Sequence, residues 1–217
     1  MTTWIDTSCI LVVFLALSIL ATYRITGMIH IFVVQSFVLS FVPFFLHADA
    51  LTGRDVMLVL ATLVLKAIVA PYILFWAIRH MSMRSEVKPF IGFGTSIICG
   101  TFLIAGAFWV ASSLKLPGKL ISDLVIPCSL STVLLGFMII VTRTKAITQV
   151  LGYLVMENGI FLFALSLFDA MPTLIEMGIL LDIFVAVFIM AIVVNHINEE
   201  FEHAPASLRR TKMGETL

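Results

Sequence analysis

The sequence is short of charge. Lys and Arg number 13 among 217 residues and Asp and Glu 13, so charged side chains are 12% of the chain. That is about half the share usual in a soluble domain. The two signs cancel, so nothing suggests a nucleic-acid partner. Cysteine is scarce too: Cys9, Cys99 and Cys128 stand alone in apolar stretches with no C-x-x-C pair. Such spacing excludes a recognisable zinc or iron–sulfur site and leaves three small hydrophobes for helix packing. No glycine-rich phosphate loop, nucleophile elbow or dinucleotide fingerprint is present. The chain is therefore expected to have no catalytic residue, metal or cofactor of its own, and to be no enzyme by itself. The stretch Met1–Asp6 has no Lys or Arg, so the first apolar run is read as a spanning helix with Trp4 at the interface, not as a cleaved signal.

What is abundant is apolar sequence, 61% of the chain. Seven apolar segments run roughly over 4–22, 28–46, 56–78, 90–113, 120–141, 147–168 and 173–195. Each is long enough for a transmembrane helix, for which about 20 residues suffice. Barrel strands would be about half as long, and a lipid-exposed backbone must satisfy its own hydrogen bonds. The expected fold is an all-α integral membrane protein with about seven spans, set in the bilayer as its solvent. Short links around Gly53, Pro89, Pro117-Gly118 and Pro172 make neighbours antiparallel, and only the tail after Asn195 is polar for any length.

Basic residues set the orientation. Arg54, Lys115 and Lys119 fall on the N-terminal side, three against the nine opposite: Arg24, Arg79, Arg84, Lys88, Arg143, Lys145, Arg209, Arg210 and Lys212. The N-terminus is expected outside and the C-terminus in the cytoplasm.

Within the sixth segment, Gly152-Tyr-Leu-Val-Met-Glu-Asn-Gly159 places Glu157 and Asn158 in otherwise apolar surroundings. Glu157 lies roughly 15 Å along that helix, near the membrane midplane, at about 1.5 Å per residue. An ionisable group there costs about 2.5–3.5 kcal/mol or more and is a functional-site hypothesis by default. Lys66 and Asp182 fall at similar depth in the third and seventh segments. Pro71, five positions after Lys66, is expected to kink its helix and deprive the Ala67 carbonyl of a donor. A desolvated amine suits a proton carrier, and the alternative is a static ion pair between helices. Glu157 and Asp182 are expected to face each other or a shared cavity, with Gly152, Gly159 and Gly178 permitting close approach. His196 lies close to four turns beyond Asp182 and either relays protons to the cytoplasm or is merely solvated. Glu176 is placed near the outer mouth. His30, Gln35 and Ser36 either line the same polar interior or bond across helices. Glu199, Glu200 and Glu202 read as a solvated helix end.

The last three segments resemble the small K-type subunit of respiratory complex I and of multisubunit cation/proton antiporters. Arg143 and Lys145 match that subunit's basic loop, Glu157 its first mid-membrane carboxylate and Asp182 its second, where the family's usual residue is Glu. Most of the chain is similar to component E of hydrogenase-4 and formate hydrogenlyase complexes. The matching residues are Lys66 with Pro71, Lys115-Leu-Pro117, Gly152-Tyr153, Met156-Glu-Asn-Gly159, and Glu176-x-Gly178 followed by Asp182. The resemblance implies a division at 1–113 for four N-terminal helices, 114–196 for a K-type three-helix unit and 197–217 for a cytoplasmic tail. It further implies a non-redox subunit of a membrane-bound group 4 nickel–iron hydrogenase in a prokaryotic inner membrane. Antiporter-like and other membrane subunits would be its partners.

Two functions compete. In one, Glu157, Lys66 and Asp182 form a hydrophilic axis that carries protons or other cations. In the other, the chain is an adaptor that docks neighbouring subunits of a hydrogenase or antiporter complex, and its charges are interhelical glue. Seven segments without an evident inverted repeat argue against a free-standing transporter. Three charges of unlike sign at one depth favour the first, because glue is usually met by Ser, Thr, Asn or small residues.

Overall fold

The computed structural model describes residues 2–46, 53, 56, 60, 63–80, 91–114, 122–166, 178, 184 and 187. The described elements are helical: α1 (Thr2–Ala21), α2 (Ile25–Ser40), α3 (Val42–Leu46), a π-helix (Leu63–Val69) running into α4 (Ala70–His80), α5 (Phe93–Ser113), α6 (Val125–Thr142) and α7 (Ala146–Ser166). No strand occurs among the described residues, and the protein is an all-α membrane protein. Five spans among the described residues are long and apolar enough to cross a bilayer: Thr3–Ala21, Ile25–Phe44, Phe93–Ser113, Val125–Thr142 and Ala146–Leu165. They match the first, second, fourth, fifth and sixth apolar segments. The third segment is described continuously only from Leu63, and of the seventh only Gly178, Phe184 and Val187 lie within the described residues.

Prolines account for the interruptions. Pro43 has no N–H for the Leu39 carbonyl, and α2 closes there with Phe41 N–H on the Val38 carbonyl before α3 restarts the same span. Pro127 sits in the first turn of α6, where its missing N–H is one of those a helix leaves unbonded anyway.

Two contacts tie α1 to α6 at both ends. The Ser122 hydroxyl, just before α6, donates to the Asp6 carboxylate near the start of α1. At the other end the Arg143 guanidinium, at the C-cap of α6, donates from Nη2 to the Leu20 carbonyl. Helices joined start to start and end to end run parallel. The short Thr22–Arg24 link turns α2 antiparallel to α1, while Phe93 at the start of α5 lies against Arg143, at the end where α1 finishes. The end of α2 and the start of α5 therefore lie at opposite ends of the bundle, and the π-helix and α4 lie between them in the chain.

Among the described residues the α6–α7 pair forms the tightest seam. A Cβ at Gly136 would lie 2.7 Å from the Met156 Cα and closer still to its nitrogen; one at Gly152 would lie 2.9 Å from the Ile140 nitrogen, and one at Gly159 2.7 Å from the Val133 nitrogen. The helices touch backbone to backbone, which only glycine allows at these positions. Gly152 and Gly159 thus do what their sequence context implied, although their partner is α6. Nothing among the described residues approaches Gly178. Buried hydroxyls on α6 are satisfied locally, Ser131 by the Pro127 carbonyl and Thr132 by that of Cys128. Large apolar side chains such as Phe14, Tyr72, Phe102 and Trp109 face outward, as a surface bathed in lipid or covered by other subunits requires.

Candidate functional site

Lys66 occupies the middle of the π-helix. Upstream of Pro71 the helix takes the wide turn of a π-helix over Leu63–Val69. In a π-helix each carbonyl accepts from the N–H five residues on. Continuing that pattern from Lys66 would require an N–H on Pro71, which has none, so the π run stops and the α-helix resumes at Ala70. Lys66 is 4% exposed, and its Nζ stands 5.1 Å from the centroid of the Phe161 ring on α7. That cation–π contact offsets part of the cost of taking an ammonium out of water.

Glu157 and Asn158 face the same region from α7. Packing α6 through Gly152 and Gly159 turns the opposite stripe of α7, Leu154, Glu157, Asn158 and Phe161, toward α2 and the π-helix. Glu157 is 3% and Asn158 0% exposed. Asn158 Nδ2 donates to Gln35 Oε1 at 3.4 Å and to Ser36 Oγ at 3.3 Å, and Gln35 Nε2 donates to the Val12 carbonyl at 3.0 Å. A polar string therefore runs from α1 through α2 to α7. Phe32, Lys66, Val69, Leu154, Glu157 and Asn158 line a small cavity at its end, with room on the scale of one water molecule.

The sequence named Lys66, Glu157 and Asn158, and all three border this cavity. Asp182, Glu176 and His196 lie outside the described residues, as does the acidic run at 199–202. Of the lower-ranked residues, Gln35 and Ser36 bond across helices to Asn158. His30 does not join them: its exposed ring meets the Thr26 carbonyl through Nδ1 at 2.7 Å and the Phe75 ring edge-on at 5.2 Å. Sequence reasoning passed over Phe161, although its spacing of one helical turn from Glu157 placed it on the same stripe. It also read Arg143 only as a basic loop residue. The structure buries that guanidinium 4.8 Å from the Phe93 ring centroid, bonded to the end of α1, and burial pushes its pKa down. Arg starts so high that it stays charged. Among the described residues no group of three His, Cys, Asp or Glu side chains is placed to hold a metal ion.

Comparison with known proteins gives a distant relationship. No family model matches the chain, and no solved structure matches it. Hydrogenase-4 component E of Escherichia coli is 27% identical over 132 residues, 61% of this chain and 61% of that protein, and the Shigella flexneri protein of the same name matches equally. The chain is a distant relative of hydrogenase-4 component E. It is also 27% identical over 148 residues to the uncharacterized protein Rv0085 of Mycobacterium tuberculosis, covering 67% of this chain and 66% of that protein. The matched region thus spans just under two thirds of the length of these relatives.

Proposed function

We propose that this chain is a non-redox membrane subunit of a hydrogenase-4-like, group 4 nickel–iron hydrogenase complex, and that Lys66 and Glu157 carry protons or other cations within its membrane arm. The observation that carries this reading is that a lysine and a glutamate, 4% and 3% exposed, line one small cavity between helices. Groups so costly to bury are retained where a reversible charge is used, and unlike charges around one cavity bias each other's protonation. The similarity to hydrogenase-4 component E supports the parent complex, with other membrane subunits as partners and the prokaryotic inner membrane as its site. The nine-to-three Lys/Arg bias supports an outer N-terminus and a cytoplasmic C-terminus. In this reading 114–196 is a K-type unit behind four N-terminal helices, with 197–217 as its tail. Asp182 and His196 extend the axis toward the cytoplasm, and Glu176 feeds it from outside.

A second reading has one specific observation behind it. Asn158, Gln35 and Ser36 bond α7 to α2, which is what a structural adaptor needs. Co-purification in mild detergent tests the parent complex: a large nickel–iron subunit should accompany the chain, and a chain isolated alone contradicts both readings. Proton uptake by reconstituted Glu157→Gln complex separates the two.

A further inference from the structure

The direction of the Asn158 amide is fixed from α1. The Val12 carbonyl can only accept, so Gln35 meets it with Nε2. Gln35 must then turn Oε1 toward α7, where only a donor satisfies it, and Asn158 supplies Nδ2 to both Oε1 and the Ser36 hydroxyl. One backbone carbonyl on α1 thereby decides which end of a side-chain amide is left over on α7. The remaining Asn158 Oδ1 is fully buried and has no hydrogen-bond partner among the described residues. Asn158 lines the cavity it shares with Glu157 and Lys66.

A buried carbonyl oxygen needs a donor, and buried waters hold their places by two to four polar contacts in polar cavities. We infer that Asn158 Oδ1 holds a water molecule in this cavity against Glu157, and that this water is the path by which a proton passes between Glu157 and Lys66. The inference rests on the relay reading above and specifies its carrier. The transfer balances without any co-reactant. The O–H bond of the Glu157 carboxyl breaks as one forms on the water oxygen, and another proton of that water moves to the neutral amine of Lys66. A carboxylate, an ammonium and an intact water result. Asn158 is a positioning residue in this scheme, since it holds the water and exchanges no proton.

The test compares Asn158→Thr with Asn158→Val in the assembled complex. These side chains are near-isosteric and differ in one hydroxyl, which restores an acceptor in the first variant only. Two quantities are read: redox-driven proton uptake in sealed vesicles, and the infrared difference spectrum between acid and alkaline pH in ordinary water and in water enriched in oxygen-18. The unmodified complex should show an O–H stretching band that shifts with oxygen-18 and is missing from the Glu157→Gln difference spectrum. The threonine variant should keep that band, and the valine variant should lose it, with uptake lower than the threonine variant's by roughly tenfold or more, as expected when a reacting group is misplaced. Equal bands and equal uptake in the two variants overturn the inference. If neither variant assembles, the unmodified complex decides alone, because the absence of an oxygen-18-sensitive band overturns it equally. Unchanged uptake in Glu157→Gln would instead overturn the relay itself. Impaired Glu157→Gln beside indistinguishable Asn158 variants would remove only the water.

Discussion

Lys66 and Glu157 border one small cavity from two different helices, one a π-helix and the other the α-helix that carries the aromatic ring beneath the lysine. Their proximity depends on α2, whose Phe32 completes the cavity wall and whose Gln35 and Ser36 hold the adjacent Asn158. The segment least like an ordinary helix and the residues most expensive to bury thus meet in one place, as π-turns at functional sites often do.

Lys66→Met tests the basic half of this pair. Methionine fills similar space without a charge, so helix packing should survive. We expect proton translocation to fall roughly tenfold or more, the usual scale for removing a proton-transfer group. Yield of assembled complex should stay close to normal. Loss of assembly with normal transport in whatever complex remains would assign Lys66 to interhelical glue.

Gly136→Ala tests the α6–α7 seam. Its added methyl would press on the backbone of Met156, so the helices must part, at a cost of about 1–3 kcal/mol typical of overpacking. At Gly106 on α5 a Cβ would meet nothing within 4 Å, and Gly106→Ala should be neutral or stabilise the helix by about 0.5–1 kcal/mol. Thermal denaturation in detergent should separate the two variants in opposite directions; equal effects would mean that the seam is not the close contact.

Arg143→Lys keeps the charge but loses the planar fork that both stacks on Phe93 and reaches the Leu20 carbonyl. We expect a loss of about 1–3 kcal/mol, in line with leaving a buried polar group unsatisfied. A thermal midpoint identical to that of the unmodified protein would show that charge alone serves at this position.

The Lys/Arg bias predicts a cytoplasmic C-terminus. A reporter fused after Leu217 should be active if it works in the cytoplasm and silent if it requires the periplasm. The reverse pattern would invert the whole arrangement of spans.

The five described spans, and the buried places of Lys66, Glu157 and Asn158, were legible because polar residues in long apolar runs are rare enough to stand out. Pro71 announced a break in its helix, but the π-turn over Leu63–Val69 has no signature in the local residue pattern. The Gln35 contact was open between two readings because its partner is the carbonyl of Val12, and a backbone acceptor has no residue signature. Arg143 was hidden for the same reason, since it anchors α1 through the carbonyl of Leu20. Gly136 was missed because close approach was sought between α7 and the seventh segment, whereas the backbone contact seen among the described residues is with α6.

Redox-driven proton uptake in sealed vesicles by complex carrying Glu157→Gln, compared with unmodified complex at matched assembly, tests the central claim most directly. Glutamine keeps the shape and hydrogen-bonding capacity of a protonated glutamate but has no proton to release, and it removes an ionisable group whose burial costs about 2.5–3.5 kcal/mol or more. A relay requires a stable, correctly assembled complex whose uptake is impaired, with Glu157→Asp intermediate. Uptake equal to that of the unmodified complex would contradict the account and leave Glu157 a structural residue of an adaptor.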